Sequence, residues 1–237
     1  MSNYNSVYEN QNQLTFNEFL TKVYSIVAIG VATSAFVAYI VSLFLEKIYI
    51  ALGDALFIAI IIFAVAEIVV ALVLSAKLRN LSKKAAWILY IVYSILTGLS
   101  LSFIFIEYPS ASIWLAFIIT AIMFVSMALI GHTTKVDLSK FSGLIAPALI
   151  SIIIATILNA LIFKSNFFSW IITYAGIVIF LGLVAYDMRM LRNYYYEGIS
   201  DANMLDKIMI FGAFQLYLDF INLFIRILRI IGKRNSD

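Results

Sequence analysis

The sequence predicts an all-α integral membrane protein, a bundle of seven transmembrane helices with the last helix central. Three observations carry that expectation. Hydrophobic residues make up 64% of the 237 positions and charged ones only 12%, about half the share a soluble domain spreads over its surface. Apolar runs of about 20 residues, the length that crosses a bilayer core, recur along the chain. The breaks between them are short and collect the charges and turn residues. Barrel strands would alternate rather than run unbroken, so the spans are helices.

Residues 1–21 are polar and rich in Asn and Gln. They read as a flexible tail, helical from Phe16 onward, with Asn17 as the cap of the first span. That span, Val23–Leu45, is too long for a signal-peptide core and lacks a basic leader, so it is expected to stay in the protein. Glu46 and Lys47 close it. The remaining spans are Tyr49–Ala76, Ala85–Ile106, Ser112–Ile130, Leu144–Phe163, Phe167–Tyr186 and Leu205–Ile231. Residues 22–232 therefore form one seven-helix domain, and 233–237 a short C-terminal tail.

Orientation follows from the basic residues. Lys77, Arg79, Lys83, Lys84, Lys135, Lys140, Arg189, Arg192 and Lys207 fall on the side shared with the N-terminus, against Lys47 and Lys164 on the other. The bias predicts a multi-pass protein of the cell (plasma) membrane with a cytoplasmic N-terminus. Lys233 and Arg234 pull against an outside C-terminus and leave room for a re-entrant last helix.

A net charge of +3 carried at span ends is explained by topology and does not indicate nucleic-acid binding. With no cysteine, thiol catalysis and disulfides are excluded. A retinal protein needs a lysine deep in its last helix, where Lys207 stands only at the start. The single histidine, His132, falls in a predicted loop, which disfavours an intramembrane serine protease and a catalytic zinc site. An enzyme is the least favoured class, and no cofactor is expected.

Ionisable groups at membrane depth are costly, about 2.5–3.5 kcal/mol for Asp, Lys or Arg at a helix centre on the insertion scale. Glu67, Asp187, Asp219, Arg226 and Arg229 are such groups. At about 100° per residue, Gln215, Asp219, Asn222 and Arg226 share one stripe of the last span. That stripe cannot face lipid, so it lines a cavity or packs on polar partners. The plainer alternative is a structural Asp219–Arg226 pair. Asp187 alone reads as an ordinary helix-end charge. Glu67 reads as protonated or as paired with an arginine of the last span. Tyr90, Tyr93, Ser94 and Thr97 share a face that serves as an inner wall or simply as helix packing.

The segment Leu216-Tyr-Leu-Asp219-Phe-Ile-Asn222-Leu-Phe-Ile-Arg226-Ile-Leu-Arg229 resembles the C-terminal signature of the Bax inhibitor (transmembrane Bax-inhibitor-motif) family, in its compact bacterial form. Ala185-Tyr-Asp187, Thr134-Lys-Val-Asp137-Leu-Ser and Thr97-Gly-Leu-Ser-Leu-Ser102 agree with it. The resemblance implies a last helix enclosed by the other six and a hydrogen bond between Asp187 and Asp219. It implies a basic latch, Arg79 or the nearby Lys77, on Asp187, and an acidic residue at Glu67. It further implies a pH-sensitive calcium leak, in which the two aspartates are the expected gate and, with too few oxygens for tight binding, a weak calcium transit site by their own chemistry. Facing carboxyls in a dry site share a proton and titrate as a coupled pair, which agrees with that role. The partners expected are thus the bilayer, calcium and protons. A regulatory scaffold that binds other membrane proteins, such as a membrane protease, and a proton-coupled transporter are the alternatives.

Overall fold

The computed structural model describes residues 14–53, 55–77, 81–198 and 201–233. Among them the elements are α1 (Phe16–Ser42), α2 (Leu45–Leu52), α3 (Ala55–Lys77), α4 (Lys83–Leu101), α5 (Ile104–Glu107), α6 (Ser110–Thr133), a 3-10 turn (Leu138–Phe141), α7 (Ser142–Leu158), a π turn (Asn159–Phe163), α8 (Asn166–Gly198) and α9 (Ala202–Ile231). No strand occurs among these residues. Among the described residues six stretches are long and apolar enough to cross a membrane: Phe16–Ser42, Lys83–Glu107, Ser110–Thr133, Ser142–Phe163, Asn166–Tyr196 and Asn203–Ile231. The second span expected from the sequence, Tyr49–Ala76, begins later in the structure. Gly53 turns the chain out of α2 at φ 48°, a conformation open to glycine and costly to a side chain. α3 then runs unbroken from Ala55 to Lys77.

The start of α1 corrects one expectation, the cap. Thr15, not Asn17, is the cap: its Oγ1 accepts from Glu18 N at 3.3 Å, while Thr15 N donates to Glu18 Oε2 at 2.8 Å. This reciprocal box satisfies two otherwise orphaned N–H groups. Asn17 lies inside the first turn, where its carbonyl accepts from Thr21 Oγ1 at 2.9 Å. The helix begins at Phe16, where the sequence placed its start. At the other end of the chain, Asp201 caps α9 by accepting from Asn203 N and Met204 N.

α9 packs against α1, α4, α6 and α8. In its most apolar stretch 72% of residues are buried, against 33% or fewer in each of the other five spans. Aromatic edges fasten it to α4. Tyr93 meets the Phe214 ring edge-on at 5.0 Å between centroids, and Tyr90 meets Tyr217 at 5.8 Å. The Tyr90–Thr97 face is buried by this packing, and none of its four residues reaches the polar cavity described below.

Lipid tails are as apolar as leucine, so helices in a bilayer associate through close packing and polar contacts rather than through a hydrophobic drive. Both are present. Ser34 Oγ of α1 lies 2.6 Å from Tyr217 Oη of α9 and 2.7 Å from the Ser94 carbonyl of α4, joining three helices at one buried hydroxyl. Tyr90 Oη donates to the Ile26 carbonyl at 2.8 Å. At Gly131, α6 and α8 come so close that an added Cβ would fall on the Ala185 backbone, 2.7 Å from its Cα. Backbone cannot yield as a flexible side chain can. Gly131→Ala is therefore expected to destabilise the protein by about 1–3 kcal/mol, the range for overpacking, read as a lower melting temperature in detergent. Gly143→Ala, with nothing within 4 Å of the new methyl, is expected to leave the melting temperature unchanged or raise it slightly.

Candidate functional site

Four polar residues recur on α9 at helical spacing, and the structure turns all of them toward one cavity. Gln215, Asp219, Asn222 and Arg226 line a space of about 640 Å³ bounded by α7, α8, α9 and, from α3, Ser75. Tyr217, Phe224 and Ile227 point elsewhere and are buried in the bundle. The cavity exists because α7 makes its main packing contacts with α8 and not with α9. Its far wall is the aliphatic face of α7, including Ile145, Leu149 and Ile152.

Asp187 reaches this cavity from α8. It is not a helix-end charge, because α8 continues as far as Gly198. Val184, Met188, Leu191 and Tyr195 recur at spacings of three and four and are buried, which carries the helix on past the apolar run. The Arg189 and Arg192 charges masked that periodicity in the sequence. Asp187 is thus 7% exposed and Asp219 4% exposed. The two carboxyls stand within hydrogen-bonding reach of each other. Asp219 Oδ2 is fully buried and takes no hydrogen bond from any amide, amine or hydroxyl among the described residues.

The remaining site residues divide. Asn222 lines the cavity but turns its amide back to the Leu218 carbonyl at 2.9 Å. Arg226 makes no pair with Asp219. Its Nη1 donates to the Ile172 carbonyl at 3.1 Å, and its guanidinium lies 5.3 Å from the Phe180 ring centre. Arg229 donates to Ser169 Oγ at 2.9 Å. Glu67 therefore meets neither arginine. It accepts from Ser100 Oγ at 2.6 Å, because α3 packs on α4 while both arginines bind α8. Glu67 is also not part of the cavity wall. The latch expected of Arg79 lies outside the described residues, as does the Lys77 side chain. His132, expected in a loop, ends α6 and stacks on Phe16 at 5.6 Å. No group of three or more His, Cys, Asp or Glu side chains converges among the described residues, so they build no tight metal centre.

Spacing could not reveal the seat of Arg226. A Cβ at Gly176 of α8 would overlap the guanidinium, so the missing side chain is the space the charge occupies. Gly176→Ala is expected to displace the flexible Arg226 side chain and cost about 1 kcal/mol, chiefly through its lost hydrogen bond to Ile172. In combination with Arg226→Ala the loss should be clearly less than additive, as measured by a thermal-melt double-mutant cycle. Full additivity would show that the two positions do not share this space.

The chain is similar in sequence to known proteins along nearly all of its length. Residues 16–236 match the family described as inhibitor of apoptosis-promoting Bax1. The chain is 40% identical over 217 residues to the inner membrane protein YbhL of Escherichia coli K12, covering 91% of this chain and 92% of that one. It is 36% identical over 230 residues to an uncharacterised protein of Borreliella burgdorferi, covering 97% of each. A membrane protein of Streptococcus pyogenes serotype M1 is 34% identical over 234 residues, with 95% and 96% covered. A match across nearly the whole length, including both aspartate-bearing helices, shows that this all-helical membrane protein belongs to the Bax inhibitor family.

Proposed function

We propose that this protein is a pH-sensitive leak pathway for cations, calcium foremost, gated by Asp187 and Asp219. The observation that carries the reading is the pair itself: two buried carboxyls from neighbouring helices, within hydrogen-bonding reach, on the wall of a cavity striped with polar groups. Two carboxylates cannot both stay charged cheaply in such a site, so they hold a proton between them and titrate as a unit. A shared proton also supplies the donor that Asp219 Oδ2 lacks. Gaining or losing a proton then changes how firmly α8 is tied to α9, and with it the passage along Gln215, Asn222 and Arg226.

The reading extends to the architecture. α3 serves as the seventh span, and α9 is enclosed by the other six. The positive side, with the N-terminus, faces the cytoplasm of the inner (plasma) membrane, the location named for the Escherichia coli relative. Arg79 biases which carboxyl keeps the charge. Calcium suits the oxygen ligands, yet it takes 6–8 of them. Two aspartates and two amides with water make a transit site rather than a store. The protein acts as a conduit and not as an enzyme.

The test is calcium flux into liposomes carrying the purified protein, followed from pH 6 to pH 8 for the parent, Asp187→Asn and Asp219→Asn. Both substitutions keep the shape and a hydrogen bond while removing the coupled proton. The parent's flux is expected to change several-fold across that range, and each variant is expected to show a flattened profile. Unchanged flux and unchanged pH dependence in both variants would sink the proposal.

A further inference from the structure

Beyond Arg226, at the end of the stripe away from Asp187, a second pocket of about 290 Å³ opens between the π turn, the start of α8 and the end of α9. Thr156 lines both this pocket and the larger cavity, so the two adjoin. Lys164 and Arg229 face into the smaller one together with Asn159, Ser165 and Ser169, and no carboxylate lines it.

The wall is cross-braced. Asn159 Oδ1 accepts from Ser165 N at 3.2 Å, and its Nδ2 donates to the Ser165 carbonyl at 3.2 Å and to Ser169 Oγ at 3.3 Å. Arg229 Nη2 donates to the same Ser169 hydroxyl at 2.9 Å, so a serine steadies the guanidinium where an acid would be usual. Lys164 is the one non-glycine residue with positive φ, 46°, among the described residues. One turn deeper, Arg226 lies within Coulombic reach of Arg229 and holds the Ile172 carbonyl, and Ile172 also lines the pocket. Three cationic groups thus gather at one end of the bundle, and none of the residues lining the pocket is an acid. Lys164 and Arg229 are exposed at the rim, with Arg226 part-buried behind them.

We propose that this pocket binds a phosphate-bearing anion. Arg229 offers a planar fork that matches phosphate oxygens, Lys164 adds a mobile point charge, and Ser165 supplies a hydroxyl. The pocket sits where α8 begins and α9 ends, the level at which a membrane presents its headgroups. A phospholipid headgroup can enter from the bilayer and inorganic phosphate from water. The inference is independent of the aspartate pair, which lies at the other end of the stripe.

The full-length protein, purified in detergent and stripped of lipid, is titrated with phosphatidylglycerol by native mass spectrometry and with inorganic phosphate by calorimetry. Lys164→Gln combined with Arg229→Gln is expected to weaken the parent's binding by at least about tenfold, as for loss of charge-assisted contacts. Arg229→Lys should keep part of it. Lys47→Gln, which alters a lysine outside the pocket, should change nothing. Binding confined to the lipid arm assigns the headgroup, and binding confined to the phosphate arm assigns a soluble anion. The single variants stand in if the double variant loses its native elution and melting behaviour. The proposal is overturned if the parent binds in neither arm, or if Lys47→Gln weakens binding as much as the pocket variants.

Discussion

Charge in hydrocarbon must be turned inward, and the organisation of this bundle follows from that one requirement acting on α9. Beyond its first two turns the last helix carries Asp219, Arg226 and Arg229 among its apolar residues, and a lipid-facing position deep in the bilayer for any of them would cost several kcal/mol. Surrounding the helix meets the requirement. α1, α4, α6 and α8 take its apolar directions, and the polar direction opens on the cavity. Its high burial is the result, and the other spans are left with lipid-facing surfaces rich in Ile, Leu and Val.

A second requirement comes from backbone proximity. Helices held by lipid-like side chains gain specificity only where they approach closely or share a polar bond. Gly131 against the Ala185 backbone lets α8 lie close to α6, and Gly176 leaves room on α8 for the Arg226 guanidinium of α9. Ala185 stands two residues before Asp187, so the close approach of backbones lies beside the carboxyl that meets Asp219.

Much of this was legible in the sequence. Unbroken apolar runs marked the spans because membrane length is a strict ruler, and the 100° spacing marked the polar stripe of α9 because the helix is regular throughout. What escaped had local or non-local causes. The Thr15–Glu18 box was obscured by a nearer Asn17 with equal capping propensity. The break at Gly53 was hidden because apolar residues continue on both sides of it. Asp187 looked like a helix end because Arg189 and Arg192 interrupt the hydropathy, although Met188, Leu191 and Tyr195 keep the helical period. Its partnership with Asp219 came from the family resemblance, since periodicity within one helix says nothing about which neighbour it meets. The separate fates of Glu67 and the two arginines depended on which helices α3 and α8 abut, and that is a tertiary fact.

The attachment of α3 has a consequence of its own. Its outer face is largely exposed isoleucine and valine, it packs on α4, and Ser100 reaches across to Glu67. In water, peeling such a helix away would expose oily surface at great cost. In a bilayer, acyl chains simply replace the neighbouring side chains, and solvation changes little. What holds α3 in place is then a matter of van der Waals fit and a hydrogen bond. The periphery of this molecule can exchange protein neighbours for lipid while the enclosed helix at its middle keeps its surroundings.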